Sequence, residues 1–123
     1  MRVKDIWCKP YTTLAVCCAI VILVLLWTPS SDLDVDQVRL PEGFDKLIHL
    51  FLFATLYVLC AKAHREQNLT ISRVTVLIGV IVFSLFTEVT QLFISERSFE
   101  ILDMIANTSG TIIAHVIMNR ILN

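Results

Sequence analysis

Polar side chains that could do chemistry stand inside or beside long apolar stretches of this sequence. They are Asp45, Lys46, His49, Glu88, Gln91, Arg97, Asp103 and Asn107. An ionisable or amide group is costly in a hydrocarbon environment, so each one is expected to have either a partner or a function. Carboxylates and histidine could transfer protons, whereas the basic and amide groups could bind an anion or a polar headgroup.

Four apolar segments must position these residues. Each segment has about 17–21 residues, and a helix that rises about 1.5 Å per residue needs roughly 20 residues to cross a bilayer core. Helix is the assignment because an open sheet would leave unpaired backbone groups in lipid. The sequence therefore predicts an all-α, integral membrane four-helix bundle that forms a single domain over residues 1–123. The transmembrane helices are predicted at about 11–27, 47–63, 74–94 and 101–118.

Composition supports a membrane protein and excludes several other classes. Hydrophobic residues make up 56% of the chain, against about 45–50% in a typical soluble domain. The four cysteines lie in or next to apolar runs, which does not favour disulfides or a cysteine metal site. P-loop, GxGxxG, zinc-ribbon and basic–aromatic patterns are absent from the sequence. We therefore expect no cofactor, no metal and no nucleic-acid partner.

The basic residues predict the orientation in the membrane. If the four segments alternate in direction, seven of the ten basic residues fall on one side, and these are Arg2, Lys4, Lys9, Lys62, Arg65, Arg73 and Arg120. The other side receives the remaining three together with seven acidic residues. The positive-inside rule then predicts that both termini are cytoplasmic and that the acidic side faces outward. The WTPSSD stretch after the first segment lacks a small-residue cleavage pattern, so we expect that segment to remain as a membrane helix.

With this orientation, three helices bring polar groups to one shallow layer of the outer leaflet. His49 and Asp103 lie about 3 Å inside the ends of their segments, counted at 1.5 Å per residue. Gln91 lies about 5 Å inside, and Glu88 and Asn107 lie about 9 Å inside. Asp103 and Asn107 also share one helix face, because they are four residues apart. The sequence therefore predicts one outward-facing polar site.

Four short motifs resemble the VanZ-like family of small membrane proteins. They are DKLIHLFLF at residues 45–53, EVTQLF at 88–93, Arg97-Ser98, and DMIANTSG at 103–110. The resemblance implies a multi-pass protein of the bacterial cytoplasmic (inner) membrane that is associated with the cell envelope. The family is named for a protein linked to resistance to the glycopeptide teicoplanin. The resemblance implies no defined molecular mechanism. Two departures are Ser95-Glu96, where many relatives have Pro-Gly, and Ala114, where a second glycine is frequent.

Three functions remain open for the polar layer. In the first, it binds a lipid-linked or phosphate-bearing envelope molecule, with binding roles for Asp45, Lys46, Gln91, Arg97 and Asn107. In the second, it is a membrane-embedded transferase or hydrolase, with acid–base roles for Glu88, His49 and Asp103. In the third, the chain is a structural accessory subunit whose polar layer fixes its fold or its partner.

Single residues carry narrower expectations. Asp45 could cap the second helix as well as serve the site. Arg97 could form a weak surface ion pair or a forked clamp, and Asp103 is its expected intramolecular partner. Gly110, with Ala114 four residues later, predicts a close but slightly loosened helix contact. His115 lies near the opposite end of the fourth helix and is expected to pack or to snorkel.

The expected partner is a membrane lipid or a lipid-linked envelope precursor. Lys46 could reach its phosphate by snorkelling toward the headgroup region. Four helices make a thin wall around such a pocket, which is compatible with a homodimer.

Overall fold

The computed structural model describes residues 9–29, 41, 43–95 and 97–122 of the chain, and within these ranges its regular structure is entirely helical. Four helices follow one another in the order α1 Pro10–Trp27, α2 Phe44–Glu66, α3 Arg73–Gln91 and α4 Ile101–Leu122. Each helix is long and apolar enough to cross a membrane. The predicted integral membrane four-helix bundle is therefore confirmed.

The helix ends differ from the apolar segments by several residues. Helix α2 begins at Phe44 and includes Asp45 and Lys46, although both are polar. Helix α4 likewise continues past Met118. Helix α3 ends at Gln91, so the predicted end at residue 94 is wrong, and the next residues form turns. Hydropathy follows side-chain chemistry, whereas a helix ends where its backbone hydrogen bonds end.

Residues that favour the first turn of a helix account for three of the helix starts. Pro10 occupies the first turn of α1, where its missing N–H costs no helical hydrogen bond. Ser72 accepts a hydrogen bond from the backbone N–H of Thr75 at 3.2 Å and caps α3. Gly43 is the N-cap of α2 with a φ of 82°, a conformation that favours glycine. Asp45 follows within the first turn, so it does not cap α2 with its side chain.

The bundle carries apolar side chains on its surface and polar side chains in its interior. Large exposed hydrophobic residues occur on all four helices, for example Val24, Phe51, Val82 and Ile113. The buried polar residues are His49, Ser84, Thr87, Glu88, Gln91, Asp103, Asn107 and Thr111. An apolar surface of this extent is stable against hydrocarbon, whereas water would disfavour it. This distribution agrees with a membrane-spanning bundle.

Helices α2 and α4 approach each other closely at Gly110. A Cβ atom at this position would overlap the carbonyl oxygen of Leu50 and lie 2.9 Å from its carbonyl carbon. Ala114, one turn further along α4, is buried in the same interface. The predicted close contact is confirmed, and at Gly110 it leaves no room for a side chain. This contact fixes how near the polar residues of α2 and α4 approach each other.

Candidate functional site

The polar residues meet at the end of the bundle where α1 and α3 end and α2 and α4 begin. We define the polar cluster as Lys46, His49, Glu88, Asp103 and Asn107. Helix α2 contributes the first two, α3 contributes Glu88, and α4 contributes the last two. Polar groups at the starts of two helices thus face a polar group one turn before the end of a third. The predicted convergence of three helices is found at this end.

A hydrogen-bonded chain of three buried side chains forms the centre of the polar cluster. Asn107 donates from Nδ2 to Glu88 Oε1 at 3.2 Å. His49 Nδ1 lies 2.9 Å from Asn107 Oδ1. An ionised carboxylate only accepts hydrogen bonds, so the amide nitrogen of Asn107 faces Glu88 and its oxygen faces His49. His49 therefore donates from Nδ1, which leaves the lone pair of the neutral imidazole on Nε2.

Asp103 lies on the other side of the His49 ring. Its Oδ2 is 3.7 Å from His49 Nε2, which is longer than a hydrogen bond. Its Oδ1 forms an ion pair with the ammonium group of Lys46. Asp103 therefore lies between the ring of His49 and the ammonium group of Lys46.

Lys46 is held by three carboxylates. In addition to Asp103, its Nζ lies 2.8 Å from Asp45 Oδ2 and 2.5 Å from Glu100 Oε2. The exposed fraction of the side chain is 59% for Asp45, 49% for Glu100 and 23% for Lys46. It falls to 0% for Glu88. The polar cluster therefore opens at Lys46 and closes at Glu88.

The acids outnumber the bases in and around the polar cluster. Asp45, Glu88, Glu100 and Asp103 carry four carboxylates, and Lys46 supplies one fixed positive charge. His49 adds a second positive charge only when it is protonated. In a medium of low dielectric such an excess favours a bound cation, a proton or a ligand with several hydrogen-bond donors.

Two predicted binding residues contact α1 instead of the polar cluster. Gln91 donates from Nε2 to the carbonyl oxygen of Leu26 at 3.2 Å. Arg97 donates to the carbonyl oxygen of Thr28 from Nε at 3.0 Å and from Nη2 at 2.8 Å. A longer bond of 3.4 Å joins Nη2 to Leu25. The prediction that Asp103 pairs with Arg97 is wrong, because the carbonyls that end α1 bind the guanidinium while Lys46 binds Asp103.

Glu100 is the main cluster neighbour that the sequence did not assign to the site. It precedes α4 and lies three residues before Asp103, so the two carboxylates can point to one side. The three-residue spacing between Glu100 and Asp103 is the sequence feature from which Glu100 could have been assigned to the site. Trp27 also went unassigned, and it donates from Nε1 to Thr90 Oγ1 at 2.8 Å, which links α1 to α3.

A second polar network joins three helices at the opposite end of the bundle. Tyr57 Oη lies 2.6 Å from His115 Nδ1, and His115 Nε2 lies 2.9 Å from Asn119 Nδ2. Arg73 donates from Nη1 to Asn119 Oδ1 at 3.0 Å. His115 was predicted to pack or snorkel, and it is fixed by hydrogen bonds on both ring nitrogens. Such bonds between helices stabilise a membrane bundle.

Three threonine hydroxyl groups near the polar cluster donate to backbone carbonyls, whereas the buried Ser84 Oγ, four residues before Glu88, has no hydrogen-bond partner among the described residues. Thr87 Oγ1 donates to Ser84 at 2.7 Å, and Thr90 Oγ1 donates to Thr87 at 2.8 Å. Thr111 Oγ1 donates to Asn107 at 2.7 Å. A hydroxyl that donates within its own helix is not activated by a neighbouring base. The described contacts of these three threonines therefore do not mark any of them as an activated nucleophile.

Comparison with protein families identifies one family model that matches most of the chain. The family model described as VanZ/LLP1 matches residues 11–122, which includes all four helices almost completely. Searches of curated proteins and of solved structures found no significant match. The family match spans most of the chain and contains every residue of the polar cluster, so the chain belongs to the VanZ/LLP1 family.

Proposed function

We propose that this protein binds the polar headgroup of a lipid-linked or phosphate-bearing envelope molecule at the polar cluster. The observation that carries the proposal is the gradient from the exposed carboxylates around Lys46 to the fully buried Glu88. A headgroup at the membrane surface could reach Lys46 directly while its attached chain stays in lipid. Buried hydrogen-bonding groups below that mouth then discriminate between headgroups.

We further propose that the polar cluster faces the outside of a bacterial cytoplasmic membrane and that both termini are cytoplasmic. Basic residues at the opposite end of the bundle support this orientation, and they include Lys9, Lys62, Arg65, Arg73 and Arg120. Basic residues near the ends of membrane helices favour the cytoplasmic side. Envelope precursors that carry their headgroups outside would then meet the open end of the cluster.

The charges of the polar cluster suggest how a headgroup is recognised. Carboxylates accept hydrogen bonds from hydroxyl, amide and ammonium groups, which are common in sugar–peptide headgroups. Lys46 is the cluster residue suited to a phosphate, and a ligand phosphate would compete with the three carboxylates that hold it. Arg97 contributes less than the sequence suggested, because its guanidinium binds the end of α1.

An apolar groove could take the hydrocarbon chain of the same ligand. The groove has a volume of about 370 Å³ and lies between α2 and α4, from Leu50 and Gly110 to Met118. Its first residue on α4, Gly110, lies about one helical turn from Asn107, so the groove begins close to the polar cluster. A lipid chain in the groove and a headgroup at Lys46 would belong to one molecule.

Native mass spectrometry of the full chain, purified from a bacterial membrane in mild detergent, tests the proposal. We expect the wild type to retain one lipid class with a polar, lipid-linked headgroup. Lys46→Gln should lose that class, whereas Lys62→Gln at the opposite end should keep it. Retention of bulk phospholipids in membrane proportions by all three proteins would contradict the proposal and favour a structural role. Chemical conversion of the retained lipid would identify an enzyme instead.

We also propose that this binding contributes to glycopeptide (teicoplanin) resistance, as the resemblance to the VanZ-like family implies. This proposal is tested in cells. Expression of the wild type in a susceptible host should raise the minimum inhibitory concentration of teicoplanin, and the Lys46→Gln variant at equal membrane abundance should not. Lys62→Gln is again the matched control. An equal increase in the minimum inhibitory concentration with all three proteins would show that resistance does not depend on the polar cluster.

A further inference from the structure

The His49 ring presents a lone pair to a carboxylate. Asn107 fixes the proton on Nδ1, so the neutral ring is an acceptor at Nε2. Nε2 faces Asp103 Oδ2 at 3.7 Å, and an ionised carboxylate is also an acceptor. Two acceptors that face each other in a buried site repel, and a positive charge between them removes the repulsion.

The distance between His49 Nε2 and Asp103 Oδ2 indicates whether this positive charge is a proton or a metal ion. A proton on Nε2 would form a good hydrogen bond only if the oxygen were about 2.7–3.2 Å away. Two ligands of one metal ion lie about 3.3–3.8 Å apart, because each is roughly 2.0–2.2 Å from the ion at an angle near 110–120°. The separation of 3.7 Å fits the second case.

Glu88 supplies an independent observation that favours a bound positive charge. Its side chain is fully buried, and its Oε2 accepts no hydrogen bond from the described residues. A carboxylate oxygen in this position is unfavourable unless a bound proton or a cation neutralises it. One ligand atom from each of His49, Glu88 and Asp103 lies within 4.8 Å of the other two, and all three residues are buried. The ring also approaches Glu88 on its other side, where Nδ1 lies 3.8 Å from Oε1.

We propose that His49, Glu88 and Asp103 bind a divalent metal ion inside the polar cluster. One imidazole nitrogen and two carboxylate oxygens suit Zn²⁺ or Mn²⁺ better than Ca²⁺ or Mg²⁺, which prefer oxygen ligands. Asn107 would hold the imidazole in the tautomer that frees Nε2, as the outer hydrogen-bond partners of metal-bound histidines do. The sequence predicted no metal, because its three ligands are distributed over three helices without a local motif.

The outer acidic group is not a second metal site. Asp45, Glu100 and Asp103 also bring oxygen atoms within 4.8 Å of one another. The ammonium group of Lys46 already lies among them and pairs with each. In the inner group Lys46 pairs with Asp103 Oδ1, whereas the ion pairs of Lys46 include neither His49 nor Glu88 among the described residues, so the proposed ion belongs beside these two.

Metal binding can be measured on the full chain without any lipid ligand, so the result does not depend on the function proposed above. The protein is purified without a histidine tag, stripped with a chelator, and titrated with Zn²⁺ or Mn²⁺ by calorimetry. We expect one ion per chain. Glu88→Gln should weaken binding by at least about tenfold, since it replaces a ligand at nearly constant shape. Glu100→Gln makes the same chemical change in the outer group and should leave the affinity unchanged.

Two results would overturn the proposal. One is the absence of saturable one-to-one binding by the wild type. The other is equal loss of affinity in Glu88→Gln and Glu100→Gln, which indicates diffuse attraction to carboxylates. X-ray absorption of the zinc-loaded wild type needs no variant and should detect one imidazole among oxygen ligands. A spectrum without imidazole would also contradict the assignment.

Discussion

His49 and Asn107 are joined across the α2–α4 interface by a hydrogen bond of 2.9 Å between Nδ1 and Oδ1. The same amide donates to Glu88 on α3, so one residue of α4 organises side chains from two other helices. Asn107 and Glu88 are fully buried, and His49 is nearly so. Asn107 therefore fixes both the orientation of the imidazole and the position of the buried carboxylate.

Replacement of this amide should destabilise the bundle. Asn107→Leu removes both hydrogen bonds and leaves His49 and Glu88 without their partner in a buried site. We expect a loss of about 1–3 kcal/mol in the free energy of unfolding. Thermal unfolding in detergent measures the loss. Thr111→Val is the control, because its hydroxyl bonds only to its own helix, and it should cost less than about 1 kcal/mol. Equal stability of the two variants would argue against the organising role of Asn107.

The space around two glycines predicts opposite effects of alanine substitution. Gly110→Ala places a Cβ against the Leu50 carbonyl, so the helices must separate, and we expect a cost of about 1–3 kcal/mol. Gly79→Ala meets no atom within 4 Å of the new Cβ and should stabilise α3 by up to about 1 kcal/mol. Resistance to thermal unfolding and to proteolysis in detergent compares the two. An undisturbed Gly110→Ala variant would show that the helices do not approach as described.

Arg97 is expected to stabilise the end of α1. Arg97→Ala removes hydrogen bonds to the carbonyls of Thr28 and Leu25, and a hydrogen bond to a charged group contributes about 1.5–3 kcal/mol. Amide hydrogen exchange in the last turn of α1 should become faster by about tenfold or more. Arg73→Ala, which loses a contact at the opposite end, should leave that turn unchanged. Suppose that Arg97→Ala leaves amide exchange in α1 unchanged but loses the lipid class that the wild type retains. This result would instead support the predicted role of Arg97 as a headgroup clamp.

The proposed orientation can be tested by cysteine labelling in intact cells. Ser98 and Thr70 are exposed at opposite ends of the bundle. Cysteine variants at these two positions would be made in a background that lacks Cys8, Cys17, Cys18 and Cys60. A membrane-impermeant maleimide should label Ser98→Cys in intact cells, and Thr70→Cys only after permeabilisation. The reverse pattern would place the polar cluster on the cytoplasmic side.

Much of the fold followed from the sequence because hydrocarbon imposes few solutions. Segments of this length and apolarity must be helices, and alternating directions bring the ends of α1 and α3 to the starts of α2 and α4. The depth of each polar residue then follows from the rise per residue. For this reason the convergence of His49, Glu88, Asp103 and Asn107 could be predicted without coordinates.

The partners of each side chain could not be predicted in the same way. Consecutive residues of a helix differ by about 100° in direction, so a pairing depends on the rotation of each helix about its axis. Packing sets that rotation, here through the close contact of Gly110 with Leu50. The three carboxylates that pair with the ammonium group of Lys46, for example, could not be identified from the sequence.

The sequence alone determined that the chain is a four-helix membrane protein with polar residues of three helices at one depth, because length, apolarity and spacing are properties of the chain itself. Only the tertiary structure decided that Arg97 binds α1, that Asp103 binds Lys46, and that Asn107 leaves His49 Nε2 facing Asp103. These pairings depend on helix rotation and on a loop between α3 and α4, and neither leaves a periodic pattern in the sequence.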